Sequence, residues 1–230
     1  MQNLVLIPGL NCTGEVFSPM LSALAQKANL FVANVLGATS IAEMAAIILA
    51  SAPPSFALLG HSMGGYVAFE ILRQAPERVE KLALIATLPG PDKPQQTENR
   101  RRAMDLVNKG RFLAVARANV DIAMHKSNAG KPEQIALRMR MAEQVGPETY
   151  LRQQEAIIAR LDSRPLLADI QIPTIVIAGK DDQIMPLAEV SEMASAIPGA
   201  QLVVVPQAGH FVPVERPNAV NEALLGWLGG

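Results

Sequence analysis

Short apolar runs alternate with longer amphipathic stretches along most of this chain, an alternation that calls for parallel strands joined by crossover helices. Leu4–Ile7, Leu30–Val35, Phe56–Leu59, Leu82–Ile85, Thr174–Ala178 and Gln201–Val205 are rich in Val, Ile and Leu and lack a clean period of two. That is how strands buried on both faces read. Between them, Phe17–Lys27, Ile41–Ser51, Met63–Gln74, Leu187–Ala196 and Asn218–Leu228 have the length and apolar spacing of helices. The expected fold class is α/β.

The alternation stops after Leu88 and resumes near Pro173. Three prolines in Pro89–Pro94 open the gap, and Gly110, Gly130-Lys131-Pro132, Gly146-Pro147 and Arg164-Pro165 divide it into helical segments. The expectation is a core of residues 1–90 and 166–230 with a helical cap of three or four helices at 91–165. That cap holds fourteen Lys or Arg against nine Asp or Glu, a net +5, which leaves −6 on the remainder. A basic insertion over an acidic core favours docking between the two and would attract anions. The plainer reading is a set of solvated, Arg-rich helix faces.

Composition excludes several classes. With 50% hydrophobic and 18% charged residues the chain has material for a buried core. A net charge of −1 offers no broad basic footprint for nucleic acid. The single Cys12 cannot form an intramolecular disulfide or a zinc knuckle. Met44–Phe69 lacks Asp, Glu, Lys and Arg, yet Pro53-Pro54, Gly60 and Gly64-Gly65 break it into helix, turn, strand and helix, so no membrane span is expected. The start of the sequence has no basic n-region, and a cytoplasmic protein is expected.

Phe56–Leu59 runs into Gly60-His61-Ser62-Met63-Gly64-Gly65 and then into the helical pattern from Tyr66. This is G-x-S-x-G between a buried strand and a helix, its confirming context. A strand that reverses into a helix within one residue leaves no room for side chains at Gly60 and Gly64 and forces the Ser62 hydroxyl to the surface in a strained conformation. The Met63 N–H, at the helix start, is left free to hold a negative oxygen. A serine needs a base, and the base needs an orienting acid. Of three histidines, His61 is expected to point away from Ser62 and His125 lies in the cap, whereas His210 follows a strand and emerges at the same sheet edge. Asp181 and Asp182, both directly after Thr174–Ala178, are the candidate acids.

These segments resemble the α/β-hydrolase fold superfamily in its capped, esterase-like branch. GHSMGGYVAFEILRQAPERVEKLALIAT is similar to its nucleophile elbow, following helix and sixth strand; IPTIVIAGKDDQIMP to its acid-bearing turn; VVVPQAGHFVPVERPNAVNEALLGWL to its histidine loop and last helix. The resemblance implies six parallel strands in the family order 4-3-5-6-7-8, a reduced sheet with Leu30–Val35 at an open edge and the cap inserted after the sixth family strand. Its spacing, an acid three positions after a glycine, selects Asp182 from Gly179 and leaves Asp181 a solvent or loop-capping role. The catalytic residues would be Ser62, Asp182 and His210, and the oxyanion donors the N–H groups of Met63 and Leu10, in a loop where Pro8 replaces the family's usual His.

The leading expectation is a carboxylesterase that cleaves small to medium acyl esters through an acyl-enzyme on Ser62, with a small-molecule ester as partner and no metal or organic cofactor. Monomer and homodimer both remain open. The runner-up uses the same triad for carbon–carbon hydrolysis or elimination on an anionic metabolite, with Arg100-Arg101-Arg102, Arg138 and Arg140 as the supporting residues. A third reading is a binding protein without turnover, disfavoured because it needs none of the triad. Met104, Met124, Met139 and Met141 suggest an adaptable apolar acyl pocket or simply helix packing. Cys12 reads as an ordinary small apolar residue beside the entrance.

Overall fold

The computed structural model describes residues 1–229. Six strands form one parallel sheet: β1 (Gln2–Ile7), β2 (Ala28–Val32), β3 (Phe56–His61), β4 (Val79–Ile85), β5 (Thr174–Gly179) and β6 (Gln201–Val205), in the order β2-β1-β3-β4-β5-β6. This is the order expected from the family resemblance. The central strands bury alternate residues on opposite faces. Val5, Ile7, Leu58, Leu82, Leu84 and Val176 join the core beneath α2 (Ile41–Ser51), α3 (Met63–Gln74) and α7 (Leu187–Ala196). Leu4, Leu6, Ala57, Leu59, Ala83, Ile85 and Ile177 join the core beneath α1 (Ser18–Leu24) and α9 (Pro217–Gly229). Both faces being covered, apolar residues are required at every position, and the period of two disappears.

The two outer strands depart from that expectation. In β2, Phe31 and Val32 are 40% and 42% exposed, and in β6, Leu202 and Val204 are 38% and 39% exposed. Each has a neighbour on one side only, so apolar, β-branched character there serves pairing rather than burial. Strand β2 is also shorter than expected: the Asn34 side chain accepts the Leu36 N–H at 3.0 Å and turns the chain, while Val35 drops into the core. The helix expected over Phe17–Lys27 is split. Thr13 caps a single 3-10 turn at Gly14–Phe17, and α1 then runs only from Ser18 to Leu24.

Between β4 and β5 lie α4 (Pro94–Asn108), α5 (Phe112–Ala123) and α6 (Pro132–Ile158). The last is two helices meeting at Gly146, whose φ of 75° and ψ of 163° are followed by Pro147, which has no N–H to carry the helix on. The insertion has its own small core around Phe112, Ala142 and Tyr150. It is tied down at its entry by Asp92, whose carboxylate accepts from Arg100 Nε at 2.6 Å and Arg160 Nη1 at 2.7 Å, while Arg160 lies over the Tyr66 ring of α3 at 4.2 Å. Among the described residues no helix is long and apolar enough to cross a membrane.

Candidate active site

The junction of β3 and α3 is as tight as its glycines predict. A Cβ on Gly60 would lie 2.4 Å from the Gly64 carbonyl oxygen, and one on Gly64 would lie 2.1 Å from the Ile7 oxygen. Ser62 adopts φ 54° and ψ −117°, strained backbone for a residue with a Cβ. Three hydrogen bonds hold it: its N–H donates to the Ile85 oxygen at 2.9 Å, and its carbonyl accepts from the Gly65 N–H at 2.8 Å and from Thr87 Oγ1 at 2.9 Å. Thr87 was not legible as a site residue in the sequence, since its role depends on the end of β4 lying beside the turn.

Ser62 Oγ donates to His210 Nε2 at 2.8 Å, and His210 Nδ1–H donates to Asp182 Oδ2 at 2.9 Å. The second Asp182 oxygen accepts the N–H groups of Ile184 at 2.8 Å and Met185 at 2.9 Å. All three side chains are buried, with Ser62 the most accessible. Burial acts to raise the Asp182 carboxyl, but the facing His210 and these hydrogen bonds outweigh it and hold it below its ordinary range. Asp181 does not join the chain. It points outward, 3.8 Å from His125 Nε2, while its N–H donates to the Ala208 oxygen.

The loop Pro8–Asn11 lies directly against the elbow: a Cβ on Gly9 would stand 3.1 Å from Ser62 Cβ. Leu10 borders the same space as Ser62, and Met63 opens α3, where its N–H has no acceptor within the helix. His61 turns away from Ser62 as expected, but it has work of its own. Its Nε2–H donates to the His210 carbonyl at 3.1 Å, and the rings of His61 and His210 are 5.5 Å apart. Burial first, and then the neighbouring His210, push His61 down to about 3, so it stays neutral.

Sequence reasoning missed Glu215. Its buried carboxylate accepts from the Gly209 N–H at 2.9 Å, the His125 N–H at 2.8 Å and Asn128 Nδ2 at 2.9 Å. It thereby ties the histidine loop to the chain leaving α5, a junction reinforced by the His210 N–H donating to the Ala123 oxygen at 2.7 Å. A carboxylate at the end of the four-residue helix α8 (Val212–Glu215) carries no local signal of that task.

Ser62 and His210 open onto a cavity of about 310 Å³ walled by the elbow loops and the insertion, including Asn119, Ile122, Tyr150 and Gln154. Of the two readings of the methionines, pocket wall or helix packing, the second holds. Met104, Met124 and Met141 are buried in helix packing and Met139 packs against the insertion's core, whereas Met185, beside Asp182, does line the cavity. Cys12 is buried among apolar side chains and borders the cavity, and burial pushes its thiol up. The solvated-face reading of the arginines fails at Arg138, which is 5% exposed and lies in the cavity wall. Arg100 also reaches the cavity, but Asp92 and Gln154 occupy it; Arg140 pairs with Glu15, and Arg102 with Glu98. Among the described residues no group of three or more His, Cys, Asp and Glu side chains is arranged to hold a metal ion.

A parallel sheet with a strained serine at a strand-to-helix turn, and His and Asp from later strand ends bonded to it in series, defines a hydrolase of the α/β class. The chain belongs to the alpha/beta hydrolase fold family, whose model matches residues 2–217. It is 28% identical over 248 residues to the pimeloyl-(acyl-carrier protein) methyl ester esterase of Pectobacterium carotovorum subsp. carotovorum (strain PC1), covering 97% of this chain and 92% of that one. Its structure is similar to a malate-bound thermophilic esterase from Thermogutta terrifontis, with a TM-score of 0.89 at 28% identity over 100% of this chain and 90% of the other. The enol-lactonase of Burkholderia xenovorans LB400 shares the fold at a TM-score of 0.87 and 21% identity, over 100% and 92% of the two chains.

Proposed function

We propose that this protein is a carboxylesterase that turns over small to medium acyl esters through an acyl-enzyme on Ser62. Ser62 Oγ attacks the ester carbonyl carbon as its proton passes to His210 Nε2, and Asp182 keeps the imidazole in the Nδ1–H tautomer and balances its charge. The oxyanion that forms is held by the N–H groups of Leu10 and Met63, each worth about 2.7–4 kcal/mol of transition-state stabilisation. The tetrahedral intermediate collapses, and the departing alcohol takes the proton from His210. Water activated by the same imidazole then releases the acid.

The observation that carries this reading is the unbroken series of hydrogen bonds from Ser62 to His210 to Asp182 at the floor of an accessible cavity. Esterases named among the relatives support it. Residues 91–165 act as the cap that shapes the acyl site over the core of 1–90 and 166–230. The test is turnover of p-nitrophenyl esters of increasing acyl length by the purified protein and by Ser62→Ala. Turnover that is lost in the variant and falls off with chain length is the expected result. Equal turnover by both proteins would refute the role of Ser62.

A further inference from the structure

Arg138, on the first half of α6, is an unpaired cation in a buried place. It is 5% exposed, and among the described residues no carboxylate lies within ion-pairing distance of it. Its Nη1 donates to the Asn11 carbonyl at 2.5 Å and approaches Cys12 Sγ at 3.6 Å, while its Nε is buried without a partner. The guanidinium lies over the Phe211 ring at 4.7 Å, and Phe211 directly follows His210. The cation borders the same cavity as Ser62 and His210. Around it the polar groups are also unmatched: both polar atoms of the Asn11 side chain and Gln153 Nε2 are buried without hydrogen bonds. Asn11 itself has a φ of 55°, and its N–H donates to Gln153 Oε1 at 3.0 Å.

A buried charge without a counter-charge is costly, and a protein that keeps one beside a cavity gains from an anion that enters. Arg100 borders the same cavity, but its Nε is held by Asp92 and its Nη1 by Gln154 Oε1, whereas Arg138 meets the cavity with no carboxylate on it. A planar fork with one charge to balance matches a carboxylate, which is planar and singly charged, better than a phosphate. We infer that Arg138 is a specificity-determining residue that receives a free carboxylate carried by the substrate, so the preferred esters are half-esters of dicarboxylic acids. The inference rests on the esterase reading for its substrate class, though the anion site itself does not.

Two measurements separate those parts. In the first, hydrolysis of monomethyl succinate, glutarate and adipate is compared, on the same protein, with methyl esters of monocarboxylic acids of equal chain length. The expected kcat/KM favours one of the half-esters by about 10- to 100-fold, the usual range for a hydrogen-bonded charge pair. Arg138→Gln is expected to abolish the preference, with kcat/KM for the half-ester falling by at least about tenfold more than that for the neutral methyl ester of equal chain length. In the second, glutarate binding to Ser62→Ala is followed by calorimetry, with and without Arg138→Gln. Saturable binding that weakens at least about tenfold without Arg138 supports the site even if no ester is cleaved, an outcome that would remove the esterase reading alone. Ester hydrolysis with no half-ester preference and no Arg138-dependent glutarate binding overturns the inference and leaves the esterase reading intact. The preference within the unaltered protein needs no variant, so poor folding of Arg138→Gln would not obscure the answer.

Discussion

Glu215 gives the most demanding test of how the histidine loop is held. Its two carboxylate oxygens satisfy three donors, from Gly209, His125 and Asn128, the first and last of them buried. Replacing it with Ala removes both acceptor oxygens and with them all three hydrogen bonds. Each of the two buried donors, the Gly209 N–H and Asn128 Nδ2, costs about 1–3 kcal/mol when left without a partner, so the loss should reach at least about 2 kcal/mol. Glu215→Gln preserves the shape, but its amide must turn an NH2 group toward one of the three donors, and one mismatch of that kind costs about 1–3 kcal/mol. The order of stability is therefore Glu, Gln, Ala, measured as the midpoint and slope of urea unfolding followed by tryptophan fluorescence. Activity should follow by a separate route. Gly209 precedes His210, and an imidazole displaced by as little as 1 Å can lose about 100-fold in rate. Under native conditions kcat for a p-nitrophenyl ester should fall in Glu215→Gln with KM little changed. A Glu215→Ala protein within 1 kcal/mol of the unaltered one would refute the hydrogen-bond reasoning. Lost stability with unchanged kcat in both variants would show that the carboxylate holds the fold without positioning His210.

The remaining predictions probe other parts of the frame. His61 is pushed down to about 3 in the folded protein, while an unfolded chain protonates it near 6.5, so the unfolded state binds the extra proton between those values and stability falls as the solution is acidified. The advantage of the unaltered protein over His61→Gln should shrink by about 1.4 kcal/mol per pH unit below 6.5, or about 2 kcal/mol between pH 6.5 and 5; a difference that stays flat with pH would refute the buried neutral state. Asp92→Asn strips the counter-charge from Arg100 and Arg160 and should destabilise the protein by about 3–5 kcal/mol in thermal or urea unfolding; a loss below 1 kcal/mol would mean that the two guanidinium groups find other partners. Gly64→Ala drives a Cβ to 2.1 Å from the Ile7 oxygen and should reduce ester turnover by at least about 100-fold. Gly37→Ala, with nothing within 4 Å of the added carbon, should leave turnover unchanged.

The parts of this molecule that depend on local pattern were readable in the sequence. The strand starts and ends fell within a few residues, helices α2, α3 and α7 matched their apolar spacing, and Gly60, Ser62 and Gly64 announced the turn that presents the serine. His210 emerged by elimination, and the choice of Asp182 over Asp181 came from family spacing; the hydrogen bond to His210 now distinguishes them by geometry. What stayed hidden depends on which distant segments meet. The edge places of β2 and β6 came from the family strand order, which the structure reproduces, but the exposure of Phe31, Val32, Leu202 and Val204 that follows from them is not visible in the apolar runs themselves. Thr87 and Glu215 act through neighbours far along the chain. Arg138 was one of five arginines named for an anionic substrate, and only the tertiary packing, which buries it without a carboxylate, separates it from the other four. For the methionines composition left an adaptable pocket and helix packing both open, and the structure uses them in packing.

The central claim is that Ser62 is the nucleophile activated through His210. The most direct measurement is labelling with a fluorophosphonate, followed by intact-mass and peptide analysis of the unaltered protein, Ser62→Ala and His210→Ala. The account predicts one adduct per chain, located on the peptide that contains Ser62, absent in Ser62→Ala and strongly slowed in His210→Ala. An adduct on another residue, or equal labelling of all three proteins, would contradict it.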